Sequence, residues 1–373
     1  MQKRKILLVH LYSNGDCLYA TAIARQIKKD FPNCELTWAI AEFCKSIIYN
    51  NPYIDTIREV NDVKKNDVTA FRKFKKKILL EKKKGLWDEV FITHNMDSNI
   101  KYYDGTIRGM ILRAYPLLIE NIQPELQLTD EEIKNVQVFA EKYSLHNFKN
   151  VILWEYAPQS GQSDLTFDFV TQVSKKIVSH PNTCVILTSA NRFESSHNII
   201  DASVLSIREN AALTHYCNLL IGCSSGITWL STSNAAKQLP TIQLLNPYAP
   251  FRNIPSEDFK RHGLPTSTLV EIFNFDKDTV HDCVDTFIKD GIEASRKKFH
   301  QNLPESFLTT EHIVYNLLCY LNIKGIREHI KIMKSVYGNH NAINKAVKKA
   351  IAGFPLKLLR NFYTNRIVPV FSK

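Results

Sequence analysis

The chain is 373 residues long and 44% hydrophobic, which sets the expectation of a globular protein of two domains. No apolar run approaches the ~20 residues of a membrane span, and eight cysteines without one Cys-x-x-Cys pair argue against a zinc site or a disulfide framework and for reduced thiols in a cytosolic protein. The net charge of +11 is concentrated in two blocks, eleven Lys/Arg against Glu328 alone in 324–373 and ten against Asp67 and Glu81 in 64–84, which point to an anionic membrane leaflet, glycolipid or nucleic acid as partner, or are solvated helix faces.

In chain order, the basic opening 1–5 is followed by only four apolar residues, 6–9, too few for a signal peptide and suited to a buried strand. A polar turn follows, then helical spacing over 17–30 (Leu18, Ala22, Ile23, Ile27) that Pro32 stops. Strands are predicted at 35–40, 56–60 and 88–93, with a short helix at 43–49 and a long basic helix at 68–84. Residues 107–118 read as helix, and Thr129 with Glu132 three residues on marks a helix start that runs to 143. A linker at 145–150 leads into a second alternation, with strands at 151–155, 184–188, 218–221 and 240–245 and helices at 168–179, 194–200, 210–217 and 227–237. A loop with four prolines spans 246–265, and helices follow at 279–290, 292–301 and 309–321. In the last 50 residues apolar positions recur at three- and four-residue steps, as on an amphipathic helix, with Gly338 and Pro355 as interruptions.

Strands alternating with helices predict parallel sheets covered on both faces. The expected organisation is an N-terminal α/β domain over 1–147, a second over 148–323 and a basic amphipathic tail over 324–373. A small ligand is expected between the domains, at the carboxyl ends of both sheets.

Two turns could carry chemistry. The first, Tyr12-Ser13-Asn14-Gly15-Asp16, lacks the G-x-G-x-x-G of a dinucleotide fold, which argues against a nicotinamide or flavin enzyme. Its Asp16 is placed either to take a proton from a substrate hydroxyl or simply to cap the next helix. The second, Ser224-Ser225-Gly226, lies between a strand and a helix, where free backbone N–H groups attract an anion or are merely capped by a serine. A base on one domain and an anion cradle on the other suit displacement of a nucleoside diphosphate from a sugar.

Several ordered motifs resemble glycosyltransferase family nine, the lipopolysaccharide heptosyltransferases. They are Ser13-Asn14-Gly15-Asp16, Phe31-Pro32, the apolar strand 35–40, Asn51-Pro52-Tyr53-Ile54-Asp55, Lys84-Gly85-Leu86-Trp87-Asp88 and the region 210–245. The resemblance covers about residues 5–250. It implies a GT-B fold of two facing Rossmann-like domains, no cofactor or metal, and inverting transfer of a heptose or similar sugar from a nucleotide sugar such as ADP-heptose to a cell-envelope glycan. It places the general base at Asp16 and the donor-phosphate loop at Ser224, Ser225 and Gly226, with Thr228 from the following helix. Nucleotide contacts are expected from Glu155, Tyr156, Gln162, Thr188, Ser189 and Asn191, and acceptor contacts from Ser13, Asn14, Gly15 and His94. The setting is cytoplasmic, with peripheral attachment at the inner membrane and no nucleic acid.

Three departures stand out. Ser224 replaces the family's usual aspartate, Trp229 replaces its histidine, and the loop 156–164 offers no basic residue to a phosphate. They make an inactive nucleotide-sugar or glycan binding protein the alternative to a transferase, with a nucleotide-sugar epimerase as a further GT-B rival.

Overall fold

Ile6, Leu7, Leu8 and Val9 are all buried, as in a strand covered on both faces. In the computed structural model, which describes residues 3–156, 161–189, 191–196, 198–249, 251–303 and 307–362, this run belongs to β1 (Arg4–Val9). With β2 (Cys34–Ile40), β3 (Thr56–Glu59) and β4 (Glu89–Ile92) it forms a parallel sheet in the order β3-β2-β1-β4. Successive side chains leave opposite faces of a strand. Ile6 and Leu8 therefore join the core built on Leu18, Ile23 and Ile27 of α1 (Asn14–Asp30), while Leu7 and Val9 meet Phe71, Phe74 and Ile78 of α2 (Val68–Lys83). The basic block 64–84 is largely the outer face of α2, and three of its cations are paired: Arg72 and Lys75 with Asp97, and Lys82 with Glu89.

After α3 (Ile107–Leu112) the chain crosses to the second lobe through α4 (Asp130–Lys142), which starts on the predicted Thr129–Glu132 capping box. The second sheet is built from β5 (Asn150–Glu155), β6 (Thr183–Thr188), β7 (Ile199–Asp201), β8 (Leu219–Gly222), β9 (Thr241–Leu244) and β10 (Leu269–Ile272). All its pairings are parallel and the order is β10-β9-β8-β5-β6-β7. Ile152 and Trp154 face a core shared with α5 (Phe167–Ile177) and, further along the chain, Val280 and Cys283, while Val151 and Leu153 face α4 and α6 (Glu209–Leu213).

Several sequence expectations are corrected. Residues 194–200, expected as helix, contribute β7, and β10 was not foreseen. The helix expected over 227–237 is only the five-residue α7 (Gly226–Leu230), and the expected loop 246–265 contains α8 (Pro255–Arg261). The helix expected over 107–118 ends at Leu112.

α9 (Lys277–Asp290) and α10 (Ile292–Phe299) cover the second sheet, but α11 (Leu308–Cys319) returns to the first lobe, where Ile313, Val314 and Leu317 join the core of α1 and β1. The basic tail is no free appendage. In α12 (Ile323–Tyr337) Ile326 joins that same core, His329 Nδ1 meets the Lys101 carbonyl at 3.0 Å, and Glu328 pairs with Lys101 at 2.8 Å. Gly338 ends α12 at φ +69°, whereas Pro355 lies inside α13 (Asn341–Phe362) and does not break it. Residues 363–373 of the predicted tail lie outside the described residues.

The lobes are tied across their seam. Arg208 of the second lobe, 2% exposed, donates to the carbonyls of Ser46 (3.0 Å) and Tyr49 (3.2 Å) in the first, and pairs with Glu132 at 2.5 Å. Tyr103 Oη donates to the Arg252 carbonyl at 3.0 Å, and the Ile107 N–H donates to Asn253 Oδ1 at 3.2 Å.

Candidate active site

A cleft of about 460 Å³ opens between the lobes where β1 and β8 end. From the first lobe it is lined by Ser13, Gly15, Asp16, Lys65 and Asn95, and from the second by Gln162, Ser224, Ser225, Gly226 and Asn253. The two turns singled out in the sequence, more than 200 residues apart, thus face one space. Their helices touch: a Cβ on Gly15 would stand 3.3 Å from Trp229 Cδ1, so glycine permits the approach. Trp229 itself lines the cleft and packs on Tyr19, ring centroids 5.3 Å apart, without separating Asp16 from the Ser225–Gly226 turn.

Asp16 sits in the first turn of α1, which begins three residues before the predicted start. The positive end of the helix dipole favours its charged form. Burial acts the other way and raises its pKa to about 6, even though the Asn95 amide, the Lys65 charge and the Ser13 backbone oppose the rise. Asn95 Nδ2 donates to Asp16 Oδ2 at 2.7 Å. A carboxylate titrating near 6 is ionised at neutral pH yet basic enough to accept a proton.

The opposite wall differs from the expectation. The side chain of Glu155, at the end of β5, reaches the N-terminus of α7 and fills it. Its carboxylate accepts from the Ile227 N–H at 3.1 Å, the Thr228 N–H at 3.2 Å, Thr228 Oγ1 at 3.1 Å and the Ser225 hydroxyl. Burial raises the pKa of Glu155, while those donors hold it down. Glu155 and Thr228, 4% exposed each, are thus hydrogen-bonded to one another. Ser224, in the left-handed region at φ +50°, gives its N–H to Gln243 Oε1 at 2.8 Å and its hydroxyl to the Asn253 carbonyl. Among the described residues, the Ser225 and Gly226 N–H groups make no hydrogen bond, and these remain for a ligand.

The remaining predicted positions divide. Gln162 lines the cleft and accepts from the Asn253 N–H at 3.2 Å. Tyr156 is 2% exposed and packs towards Phe167, and Thr188 is 3% exposed at the end of β6. Ser189 and Asn191 bond to each other at 3.0 Å, and none of these four lines the cleft. Asn14 lies at the contact with Gly226 rather than on the cleft wall. His94 is 2% exposed, between His10 and Phe71, with neither ring nitrogen hydrogen-bonded. It adjoins a small side recess of about 70 Å³ shared with Asp16.

Residues the motif reading did not reach include Lys65, Phe251, Asn253, His312, Asn316 and Tyr320. Among the described residues Lys65 is the one lysine or arginine of the cleft lining. No group of three or more His, Cys, Asp and Glu side chains is gathered as metal ligands would be, among the described residues. No helix among them is long and apolar enough to cross a membrane.

No family model matches the sequence, and a search of curated proteins returns no match. Solved structures do match in shape. A glycosyl transferase of family 9 from Veillonella parvula is 15% identical, covering 79% of this chain and 94% of its own, with a TM-score of 0.50. The ADP-heptose lipopolysaccharide heptosyltransferase II of E. coli is 12% identical, covering 76% of this chain and 98% of its own, with a TM-score of 0.51. At such identities the likeness concerns fold. The chain therefore has the GT-B fold of two facing Rossmann-like lobes, the fold of these two structures.

Proposed function

We propose that the protein is an inverting, metal-independent glycosyltransferase that moves a heptose or similar sugar from a nucleoside-diphosphate sugar to a cell-envelope glycan. One observation carries the reading: the Asp16 carboxylate, raised by burial to about 6, lines the same interlobe cleft as the Ser225–Gly226 turn. In the reaction the acceptor hydroxyl gives its proton to Asp16 and its oxygen attacks the anomeric carbon. The bond from that carbon to the diphosphate oxygen breaks, its electrons leave with the diphosphate, and the configuration inverts. Ser13 and Gly15 sit on the acceptor side, and the free amides of Ser225 and Gly226 meet the leaving group. The cationic surface of α2 suits an anionic acceptor or the membrane surface that carries it.

The test is Asp16→Asn. General-base catalysis supplies about 10²–10⁴-fold, so transfer should fall by that factor while nucleotide-sugar binding, followed by thermal shift against ADP-, UDP-, GDP- and CMP-sugars, persists. Full activity in this variant removes Asp16 from the mechanism.

A second reading rests on Glu155. It occupies two amides and two hydroxyls of the turn that a diphosphate would use. This favours a cleft that binds a glycan or nucleotide sugar without turning it over. Binding with neither transfer nor hydrolysis would establish that reading over the first.

A further inference from the structure

The fold brings the two basic blocks of the sequence together. Residues 97–102 lie between α2 and α12 and are tied to both: Asp97 pairs with Arg72 and Lys75 of α2, and Lys101 with Glu328 of α12. The Arg72 guanidinium also stacks on the Tyr320 ring, 3.4 Å from its centroid, at the turn that leads into α12. Tyr320, Asp97 and Lys65 line the interlobe cleft, so this surface borders its mouth.

By helical spacing Lys73, Lys76, Lys77 and Leu80 share the outer face of α2, and Lys324, Arg327 and Lys331 that of α12; all are exposed. Among the described residues none of these six cations has an ion-pair partner, whereas Asp97 and Glu328, the acids between the helices, are already paired, and Asp67 is engaged in capping α2. The turn into α12 is apolar. Leu321 is 82% exposed in the left-handed conformation at φ +53°, and Tyr320 and Ile323 beside it are half-exposed. Cations around an exposed apolar turn match a lipid interface, where the cations meet anionic headgroups, tyrosine sits at headgroup level and aliphatic tips enter the acyl boundary. A nucleic acid would use the cations and leave Leu321 in water.

We propose that α2, α12 and the turn 320–323 form one docking surface for an anionic phospholipid bilayer, with Leu321 and Ile323 entering the lipid. This deepens the membrane contact named under the proposed function and rests on no step of the transfer reaction. Because Tyr320 lines the cleft as well, docking holds the mouth of the cleft against the bilayer. Each lysine or arginine near an anionic surface raises partitioning about fivefold, and burying a leucine side chain raises it about tenfold or more.

The test is flotation of the full chain with vesicles of phosphatidylglycerol and phosphatidylcholine in equal parts, against vesicles of phosphatidylcholine alone. The protein should float with the anionic vesicles and bind the neutral ones at least about tenfold more weakly. Leu321→Asn combined with Ile323→Ser leaves the net charge unchanged, and asparagine tolerates the left-handed position. This pair should cut binding to anionic vesicles at least about tenfold with an unchanged thermal melt. Charge reversal to glutamate of Lys73, Lys76 and Lys77 on α2, or of Lys324, Arg327 and Lys331 on α12, should each cut it as much or more. The fluorescence of Leu321→Trp should shift to the blue on anionic vesicles. The proposal is overturned by no flotation with anionic vesicles, by equal binding to neutral ones, or by a loss confined to the variant of one helix. Binding unchanged in Leu321→Asn with Ile323→Ser overturns it too, and equal competition by duplex DNA would then mark a nucleic-acid surface. Vesicle binding reads the surface whether or not the protein transfers sugar, so its failure leaves the role of Asp16 to be judged by the transfer assay.

Discussion

Asn95→Ala should raise the pKa of Asp16 by about one unit. In the wild-type protein burial moves this carboxyl up to about 6, and the Asn95 amide, 2.7 Å from Oδ2, is the largest influence pulling it back. A hydrogen bond to a charged group contributes about 1.5–3 kcal/mol, and each pKa unit corresponds to about 1.4 kcal/mol. Losing the whole bond would shift Asp16 by one to two units. Asp16 lines an open cleft, so water replaces part of the lost donor and the lower end applies. The measurement is carbon-13 NMR titration of the Asp16 carboxyl, assigned by its disappearance in Asp16→Asn. If transfer activity is found, the acidic limb of kcat/KM should move up by the same amount, because Asp16 must be ionised to act as base. Asn95→Asp should shift the pKa further, by placing a second negative charge against the first. An Asp16 pKa unchanged within about 0.3 units in Asn95→Ala would refute the coupling and, with it, the account of how this base is tuned.

Three further outcomes are expected. Glu155→Ala strands four donors of the α7 turn and should destabilise the protein by about 2–4 kcal/mol in denaturant unfolding, with Glu155→Gln clearly milder because it keeps an acceptor in place. Arg208→Ala should cost about 3–5 kcal/mol by the same measurement, since it leaves the inner carbonyls of Ser46 and Tyr49 and part of Glu132 unpaired across the seam. Burial lowers the pKa of His10 to about 3 and that of His94 well below its usual value. The unfolded chain therefore binds protons that the folded one does not, and stability should fall as pH drops below about 6.5, by up to about 1.4 kcal/mol per pH unit for each histidine. His94→Phe should flatten that acid slope by one proton's worth, and an unchanged slope would show that His94 is protonated in the folded state.

The alternation of the two sheets was legible because each central strand is a short apolar run bounded by polar turns. Residues 6–9, 151–155, 184–188 and 218–221 all became strands or parts of strands within a residue or two. β7 was missed because Ile199–Asp201 is too short to display a period, and β10 because Leu269–Ile272 follows a proline-rich stretch. Periodicity likewise reported that 309–321 and the tail have a face to bury, but not whose core receives it; a helix carries its apolar stripe wherever the chain crosses.

The candidate site divides along the same line. The sequence by itself determined that Ser13–Asp16 would stand at the carboxyl end of the first strand, because strand, turn and helix are contiguous. It also placed a second turn at 224–226 with amides to offer. Only the tertiary structure decided that Glu155 would take the amides just beyond that turn, those of Ile227 and Thr228. Glu155 and Thr228 are 73 residues apart, and their bond exists because β5 pairs with β8 in a parallel register that brings both strand ends to one place. Spacing records what neighbours along the chain can do; which charges end up in contact depends on how distant strands pair, and that information is spread over the whole packed interior.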